Sequence, residues 1–349
     1  MRRRVYLHIG APKTGTSYLQ DRLRLNRGEL AAHHVHYPLG PLGLPSSHFK
    51  PALDLIDRDW GGARADAEGA WPALVRRVRR LQGTVLVSHE ILAPATPEQV
   101  ARAMHDLRGR EVHVVYSARD LARQVPAAWQ ESVKQYQTLS YKRFLDRVRT
   151  QSPDLWFWQA QGLPDVLTRW GADLPPERIH LVTVPQYGAP ADLLWHRFCE
   201  VFGIDPAWAP KDSPRGNTSM GGAETTLVRR LNKMLHRRGV SSTDHHALVT
   251  ELLVHQHLAR RTRSDRTTLP PRMFGWAEEI TGQWIDWVRG SGINVVGDLE
   301  ELRPVRPAED LEWHSPDRPG RAPLLDAAVD ALAVMVLEAA RRPEPRGDR

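Results

Sequence analysis

Residues 7–20 of the chain read LHIGAPKTGTSYLQ, and this stretch passes from an apolar run through a turn into a segment with helical spacing. The run 5–9, VYLHI, has the apolar character of a buried strand. After the turn, Leu19 and Leu23 repeat with the spacing of one helix face. The sequence therefore predicts strand, turn and helix in immediate succession, which directs backbone N–H groups and the helix dipole at one point.

The expected guest of this turn is a phosphate or sulfate group. Thr14, Thr16 and Ser17 add hydroxyl donors around the same point. Pro12 restricts the turn, and Gly15 allows the backbone to approach the anion closely.

The lysine of the turn has an unusual position. From Gly10 the sequence reads G-x-x-x-x-G-T-S, whereas a nucleoside-triphosphate loop reads G-x-x-x-x-G-K-[ST], with its lysine directly after the second glycine. Here Thr16 follows Gly15, and the lysine is Lys13, three places earlier. A lysine on the crest of the loop is placed to neutralise the bridging oxygen of a leaving group, and a donor with one phosphate on the loop requires no metal.

Composition limits the class of protein. Of the 349 residues, 41% are hydrophobic and 26% are charged, which is typical of a folded globular chain. The formal net charge is +7, but 41 acidic residues are interspersed with the basic ones, so we expect anionic ligands and no nucleic-acid partner. The single cysteine, Cys199, excludes an internal disulfide. We find neither a signal peptide nor a membrane-spanning run, and expect a cytoplasmic protein without membrane insertion.

Short apolar runs alternate with longer segments of helical spacing, which predicts an α/β fold with a central parallel sheet flanked by helices. The predicted strands are 5–9, 84–87, 112–116 and 179–184. The carboxyl-terminal half is predicted to be helical, with helices at 224–236, 242–261, 276–288 and 324–340. We expect a single domain, 1–340, consisting of a sheet-bearing core at 1–190 and a mainly helical part at 191–340, followed by a frayed tail at 341–349.

Polar residues follow the predicted strands where ligands collect in such sheets, at the carboxyl ends. His89 and Glu90 follow the second strand, and Arg119 follows the third. Together with the turn after the first strand, these residues predict one site.

Two motifs resemble those of sulfotransferases that use 3′-phosphoadenosine 5′-phosphosulfate (PAPS), in particular the bacterial ones. The segment 12–20, PKTGTSYLQ, resembles the loop that binds the 5′-phosphosulfate, and 114–121, VVYSARDL, resembles the signature whose arginine holds the 3′-phosphate. The resemblance implies that residues 12–17 and Arg119 bind PAPS, or the product adenosine 3′,5′-bisphosphate, and that Lys13 is catalytic. It implies in-line sulfuryl transfer to a hydroxyl or amine of a carbohydrate or small-molecule acceptor.

The sequence departs from this family at one phosphate ligand. A serine is expected eight residues after the arginine, but the chain has Ala127. Ser132, Gln124 or backbone donors are the candidate replacements. A third contact region of the family corresponds best to 214–222, in which Arg215 and Asn217 are the candidate nucleotide ligands; a polar loop that caps the following helix is the alternative.

The resemblance also suggests a base. Relatives carry a histidine or glutamate after the second strand, and we favour Glu90, with His89 as a second choice or as an orienting neighbour. The alternative is structural: Glu90 caps a helix that starts near Ile91, beside a partly buried His89.

Acceptor contacts are predicted from the segments around the site. The loops and short helices at 38–71 are expected to cover the substrate, and His48 lies in them. Trp129, Gln130 and Lys134 suit a sugar or polyol, although Trp129 equally suits packing between helix and sheet. The histidine clusters fit surface positions better than a metal site, and no metal is expected.

Two other functions compete with sulfuryl transfer. One is a small-molecule kinase or NTPase that uses Ser17 as a magnesium ligand. The other is a non-catalytic anion-binding protein, for which Ala127 is the only indication. The sequence leaves the acceptor and the oligomeric state open.

Overall fold

The computed structural model describes residues 3–40, 48–214, 219–261, 265–308, 310 and 312–342. The chain forms two compact units. Unit 1 comprises Met1–Gln124, Arg147–Arg215 and Arg272–Arg306, and unit 2 comprises Val125–Asp146, Gly216–Pro271 and Pro307–Arg349. Residues 343–349 of the expected tail lie outside the described residues.

Unit 1 contains a six-stranded parallel sheet in the order β2-β3-β1-β4-β5-β6. Its strands are β1 Arg4–Gly10, β2 Val35–His36, β3 Thr84–Ser88, β4 Glu111–Ala118, β5 Ile179–Thr183 and β6 Asn294–Val296. The four predicted strands are all present and form the middle of the sheet. The α/β class predicted from the sequence is therefore confirmed, and the two edge strands β2 and β6 are additions to it.

Helices join these strands and cover the sheet. In unit 1 they are α1 Thr16–Leu25, α2 Arg27–Ala32, α3 Phe49–Ile56, α4 Ala70–Arg80, α5 Pro97–Asp106, α8 Trp156–Gln161, α9 Leu163–Gly171, α10 Leu193–Phe202 and α13 Phe274–Ser291. Two further helices, α6 Leu121–Lys134 and α7 Tyr141–Arg149, have residues in both units.

The central strand β1 is buried along almost its whole length, from Val5 onwards. Its register places Tyr6 beside Leu86 of β3, so these side chains share a face of the sheet. The core on this face is completed by Leu19 and Leu23 of α1, Val115 of β4, Val182 of β5, and Trp195 and Phe198 of α10. Leu19 and Leu23 are therefore on the buried face of α1, as their spacing predicted, and their packing holds α1 against the sheet directly after the turn.

Unit 2 is helical. It contains α11 Gly222–Arg237, α12 Ser242–His245 continued by a π-helix at His246–His255, and α14 Arg321–Arg341. The helix predicted at 242–261 is present over 242–255, with a change of hydrogen-bond pattern at 246, and a separate 3₁₀ turn follows at Leu258–Arg260. Among the described residues, no helix is long and apolar enough to cross a membrane.

Shortening a side chain of the central strand tests this assignment of the core. We expect Leu7→Ala to lower the free energy of unfolding by about 2–5 kcal/mol, because Leu7 is fully buried and its loss leaves a cavity. Urea denaturation followed by circular dichroism measures the change. The control is Leu337→Ala on α14, where the leucine is exposed and the change should stay within about 0.5 kcal/mol; equal losses would contradict the assignment.

Candidate active site

The β1–α1 loop, residues 11–15, is fixed to the end of β4. Ala11 N donates to Ser117 O at 2.8 Å, and Ser117 Oγ donates to Gly10 O at 3.0 Å. Thr14 Oγ1 donates to Ala11 O at 2.5 Å and also contacts Ser117 Oγ. The buried hydroxyl of Thr14 therefore stabilises the loop through contacts with Ala11 and with Ser117 of β4.

Two side-chain amides hold the crest of the loop from the other side. Gln124 of α6 and Gln161 of α8 each donate through Nε2 to the Pro12 carbonyl, at 2.6 and 3.0 Å. Both glutamines are buried. The Pro12 carbonyl is thus satisfied by the protein, which fixes the orientation of the peptide before Lys13.

The backbone has a positive φ at three positions in or directly before the loop: Gly10 with φ of 116°, Lys13 with φ of 67° and Gly15 with φ of 89°. At Gly10, a Cβ atom would lie 3.3 Å from both Cα and Cβ of Glu90, so glycine permits the close approach of the loop to the end of β3. Lys13 is the one of the three that lacks the freedom of glycine, and such strain is common at functional positions.

Within the described residues, no side chain caps the amino terminus of α1. Its N-cap residue is Gly15, which makes no side-chain hydrogen bond. The first N–H groups of a helix have no partner inside the helix, and the helix dipole adds positive potential there. Thr16 and Ser17 open this helix, so the loop has the donors that an oxyanion needs.

Glu90 lies two residues beyond β3 and receives a hydrogen bond from Gln20 Nε2 to Oε2 at 3.1 Å. Burial raises the pKa of Glu90, but the adjacent His89 and a hydrogen bond from the Glu90 backbone N–H lower it. Gln20 and the charge of Lys13 lower it further, and the net pKa lies below the ordinary 4.5. Glu90 is consequently a carboxylate at neutral pH.

His89 caps the short 3₁₀ helix Glu90–Leu92. Its Nδ1 accepts a hydrogen bond from Ile91 N at 3.3 Å. Burial lowers the pKa of His89 more than Glu90 raises it, so the ring is neutral at neutral pH. With Nδ1 used as an acceptor, the single ring proton resides on Nε2.

Two further histidines connect the strand ends. His8 Nδ1 lies 2.8 Å from Ser88 Oγ and its Nε2 lies 3.3 Å from Ser117 Oγ, so it links β3 and β4 across β1. His48 Nδ1 accepts from Ser88 N at 3.1 Å, and its Nε2 bonds to Pro38 O at 2.8 Å. Burial lowers the pKa of both histidines to about 4.

Arg119 follows β4 directly, and one of its amino groups donates to Arg123 O. Its Nε is buried and has no hydrogen-bond partner within the described part of the chain. Burial lowers the pKa of Arg119, as does the neighbouring Arg123, to about 10, so the side chain remains cationic at neutral pH. The unpartnered Nε–H of this cationic side chain is a donor that suits an anionic ligand.

The acceptor residues predicted on α6 belong to unit 2 and are engaged within it. Trp129 is fully buried and donates through Nε1 to Leu139 O at 3.0 Å. Gln130 Nε2 donates to Met220 O and to Thr225 Oγ1, and Lys134 is buried with Nζ 3.8 Å from a carboxylate oxygen of Glu131. An acceptor that binds the Nε2 donors of Gln130 therefore has to replace one of these bonds.

The candidate replacements for the serine expected at Ala127 are also engaged. Ser132 Oγ donates to Trp129 O at 2.7 Å. Gln124 uses its Nε2 on the loop, while its Oε1 is buried and lacks a partner among the described residues. Arg215 and Asn217, the candidates from the third motif, lie outside the described residues.

The predicted site residues from the strand ends thus meet at one edge of the sheet, because β3, β1 and β4 are parallel neighbours. The sequence did not indicate His8, Gln20 or Gln161, whose partners are distant along the chain. Within the described ranges, no group of three or more His, Cys, Asp and Glu side chains is arranged to hold a metal ion.

Comparisons with protein families and with curated proteins give no match. The solved structures that are similar to this chain include two sulfotransferases. A sulfotransferase from Alicyclobacillus acidocaldarius is 18% identical, with a TM-score of 0.37, and the match covers 68% of this chain and 97% of that one. A sulfotransferase domain from the curacin biosynthetic pathway is 12% identical, with a TM-score of 0.32, over 58% of this chain and 74% of that one. At such low TM-scores and identities, neither likeness carries an argument about activity.

The two buried histidines predict a pH dependence of stability. Between pH 6.5 and about 4 the unfolded chain binds protons at these histidines, while the folded protein keeps them neutral. The unfolded state binds more protons, so stability falls as the pH falls, by at most about 1.4 kcal/mol per pH unit for each histidine.

The measurement is the thermal midpoint at pH 7 and at pH 5. We expect a clear decrease for the native chain and a shallower one for His48→Gln, which removes one such group. His314→Gln is the control, because His314 is exposed and should leave the slope unchanged. A His48→Gln slope equal to that of the native chain would contradict the prediction.

Proposed function

We propose that this protein transfers a sulfuryl group from PAPS to a hydroxyl or amine of a small-molecule or carbohydrate acceptor. The observation that supports it best is the arrangement at the carboxyl ends of β3, β1 and β4. Glu90, ionised at neutral pH, interacts electrostatically with Lys13, and Arg119 presents a buried donor without an acceptor. A general base, a cation at the loop and a second anion site are the elements that such a transfer requires.

The residues present fit a ligand that carries two separate anionic groups, as PAPS does with its 5′-phosphosulfate and its 3′-phosphate. The N–H groups at the start of α1, with Thr16 and Ser17, would hold the 5′-phosphosulfate, and Lys13 lies on the same loop. Arg119 would hold the 3′-phosphate through its unpartnered Nε. PAPS supplies a sulfate already activated by its bond to phosphate, and adenosine 3′,5′-bisphosphate is its product.

The proton of the acceptor is assigned to Glu90 rather than to His89. His89 uses Nδ1 to accept the Ile91 N–H and carries its proton on Nε2, so neither nitrogen has a lone pair free for a further proton. Glu90 is a carboxylate with acceptor capacity on two oxygens. In this proposal the acceptor hydroxyl transfers its proton to Glu90 as its oxygen bonds to sulfur, and Gln20 positions the carboxylate.

Lys13 is assigned to the oxygen that leaves the sulfur. Lys13 lies on the crest of the loop, and Gln124 and Gln161 fix the preceding Pro12 peptide, so the ammonium group would lie near an anion bound at the start of α1. A fixed positive charge at the place where negative charge develops favours the transition state more than the ground state. In this proposal the position of Lys13, three residues before that of the lysine in a triphosphate loop, suits a charge at the leaving oxygen.

Nucleotide binding separates this proposal from a kinase or NTPase. We expect adenosine 3′,5′-bisphosphate to bind without magnesium, more tightly than ATP, in isothermal titration calorimetry. Arg119→Gln should weaken this binding by roughly 10-fold or more, because a charge-assisted hydrogen bond to the 3′-phosphate is lost. Adenosine 5′-monophosphate, which lacks that phosphate, is the matched control and should bind both proteins equally. Tight, magnesium-dependent binding of ATP would instead favour the kinase.

Turnover separates the enzyme from a non-catalytic binding protein. We expect Lys13→Ala and Glu90→Gln each to reduce sulfuryl transfer by about 100-fold or more while the far-ultraviolet circular dichroism is unchanged. The assay supplies PAPS with an isotopically labelled sulfate to a mixture of sugars, phenols and amines and reads the products by mass spectrometry.

A positioning role for Gln20 is tested in the same assay. Gln20→Ala should lower the rate less than Glu90→Gln and shift the acidic limb of the pH–rate profile upwards, because the hydrogen bond that lowers the pKa of Glu90 is lost. Transfer that survives both Lys13→Ala and Glu90→Gln would show that the catalytic assignment is wrong.

A further inference from the structure

The carboxyl-terminal helix α14 carries an exposed apolar stripe. Leu325, Val329, Leu332 and Val336 are between 57% and 66% exposed, although each is a large aliphatic residue. Their spacing is four, three and four residues along the helix. A row of solvent-exposed large aliphatic side chains on one face of a helix indicates a surface that another molecule covers.

The stripe follows the heptad of a two-stranded coiled coil. With Leu325 at position d, the stripe places Val329 and Val336 at a and Leu332 at d. β-Branched residues at a with leucine at d favour parallel dimers over higher oligomers. The remaining a and d positions of the helix are Ala322 and Ala339, which are exposed as well.

The opposite face of α14 is the one that packs on its own unit. Ala327, at position f, is fully buried, and the c positions Leu324, Ala331 and Glu338 and the g positions Ala328 and Met335 are only partly exposed. Position f lies across the helix from the a/d seam. The helix is therefore anchored to its own chain on one side and presents the whole seam on the other.

We infer that α14 pairs in parallel with α14 of a second copy of this chain, which makes the protein a homodimer. Knobs-into-holes packing requires a helix as the partner, and an a/d seam related by a two-fold axis is complementary to itself. This inference is independent of the proposed activity.

The charges beside the seam agree with a parallel pair. In such a pair, a g residue faces the e residue five positions later on the partner helix. Arg321 stands at g and Asp326 at e, so each Arg321 meets an Asp326 across the seam, twice per dimer. No other g–e′ pair in the described part of this helix joins two charged residues, and none sets like charges against each other.

The association state of the full chain tests the inference. Sedimentation equilibrium should show a dimer for the native chain and a monomer for the double variant Leu325→Glu with Leu332→Glu, which places two charges in the seam. The matched control is Leu337→Glu, because Leu337 is on the same helix and equally exposed but lies off the seam at position b; it should remain a dimer. A charge exchange that combines Arg321→Glu with Asp326→Arg should restore the dimer that either single change weakens.

Disulfide formation tests the orientation. A cysteine at a d position lies beside its own symmetry mate in a parallel pair, so Leu332→Cys should give a covalent dimer under mild oxidation, while Leu337→Cys should not. Cys199, the single native cysteine, is buried. A monomeric native chain at every concentration, a dimer that survives the double seam variant, or seam-dependent binding of the monomer to phosphatidylglycerol vesicles would each overturn the inference.

Discussion

Ser117, at the end of β4, determines the shape of the candidate site. Its carbonyl accepts the Ala11 N–H and its hydroxyl donates to Gly10 O, so the first turn after β1 is fixed to the neighbouring strand. The same hydroxyl contacts Thr14, and His8 connects it to Ser88 on β3. Three strand ends are therefore joined by one buried polar network. Such a network defines a single geometry only when its members are satisfied, and here almost every polar atom has a partner.

Two buried polar atoms near this network have no hydrogen-bond partner within the described residues. Gln124 and Gln161 direct their amide donors at Pro12, yet Gln124 Oε1 and Arg119 Nε are buried and have no partner within the described residues. Burying a polar group without a hydrogen bond costs about 1–3 kcal/mol. In the proposed function, Arg119 Nε is the donor available to an anionic phosphate group, and Gln124 Oε1 is able to accept a hydrogen bond from the same ligand.

The central part of the fold was predictable because its signals are local. Strands β1, β3, β4 and β5 are apolar runs of five or more residues that are buried on both faces. Because the alternation of strands and helices predicts a parallel sheet, Lys13, Glu90 and Arg119, which follow three of these strands, are expected at the same edge. Strands β2 and β6 have only two and three residues, and each pairs on one side, so their sequences carry no strand periodicity.

The polar support of the site was not predictable, for a related reason. His8 reads as one member of an apolar strand, and its partners Ser88 and Ser117 are 80 and 109 residues away. In the sequence Gln20 is an ordinary polar residue of an amphipathic helix, and its contact with Glu90 depends on the position of β3 in the sheet. These contacts exist only after the sheet has formed. Sequence motifs identify the residues at strand ends, whereas the residues that orient them are defined by strand order.

The charges at the site impose opposing demands on Glu90. His89, the backbone N–H, Gln20 and Lys13 lower the pKa of Glu90, which keeps it ionised at neutral pH, but a lower pKa also makes it a weaker base. A weak carboxylate base suits a reaction in which the acceptor loses its proton late, after bonding to sulfur has made the hydroxyl acidic. In the proposed transfer, the same lysine charge that weakens the base would stabilise the departing phosphate. The arrangement therefore favours leaving-group stabilisation over proton abstraction, and acceptors with a more acidic hydroxyl should gain least from Glu90.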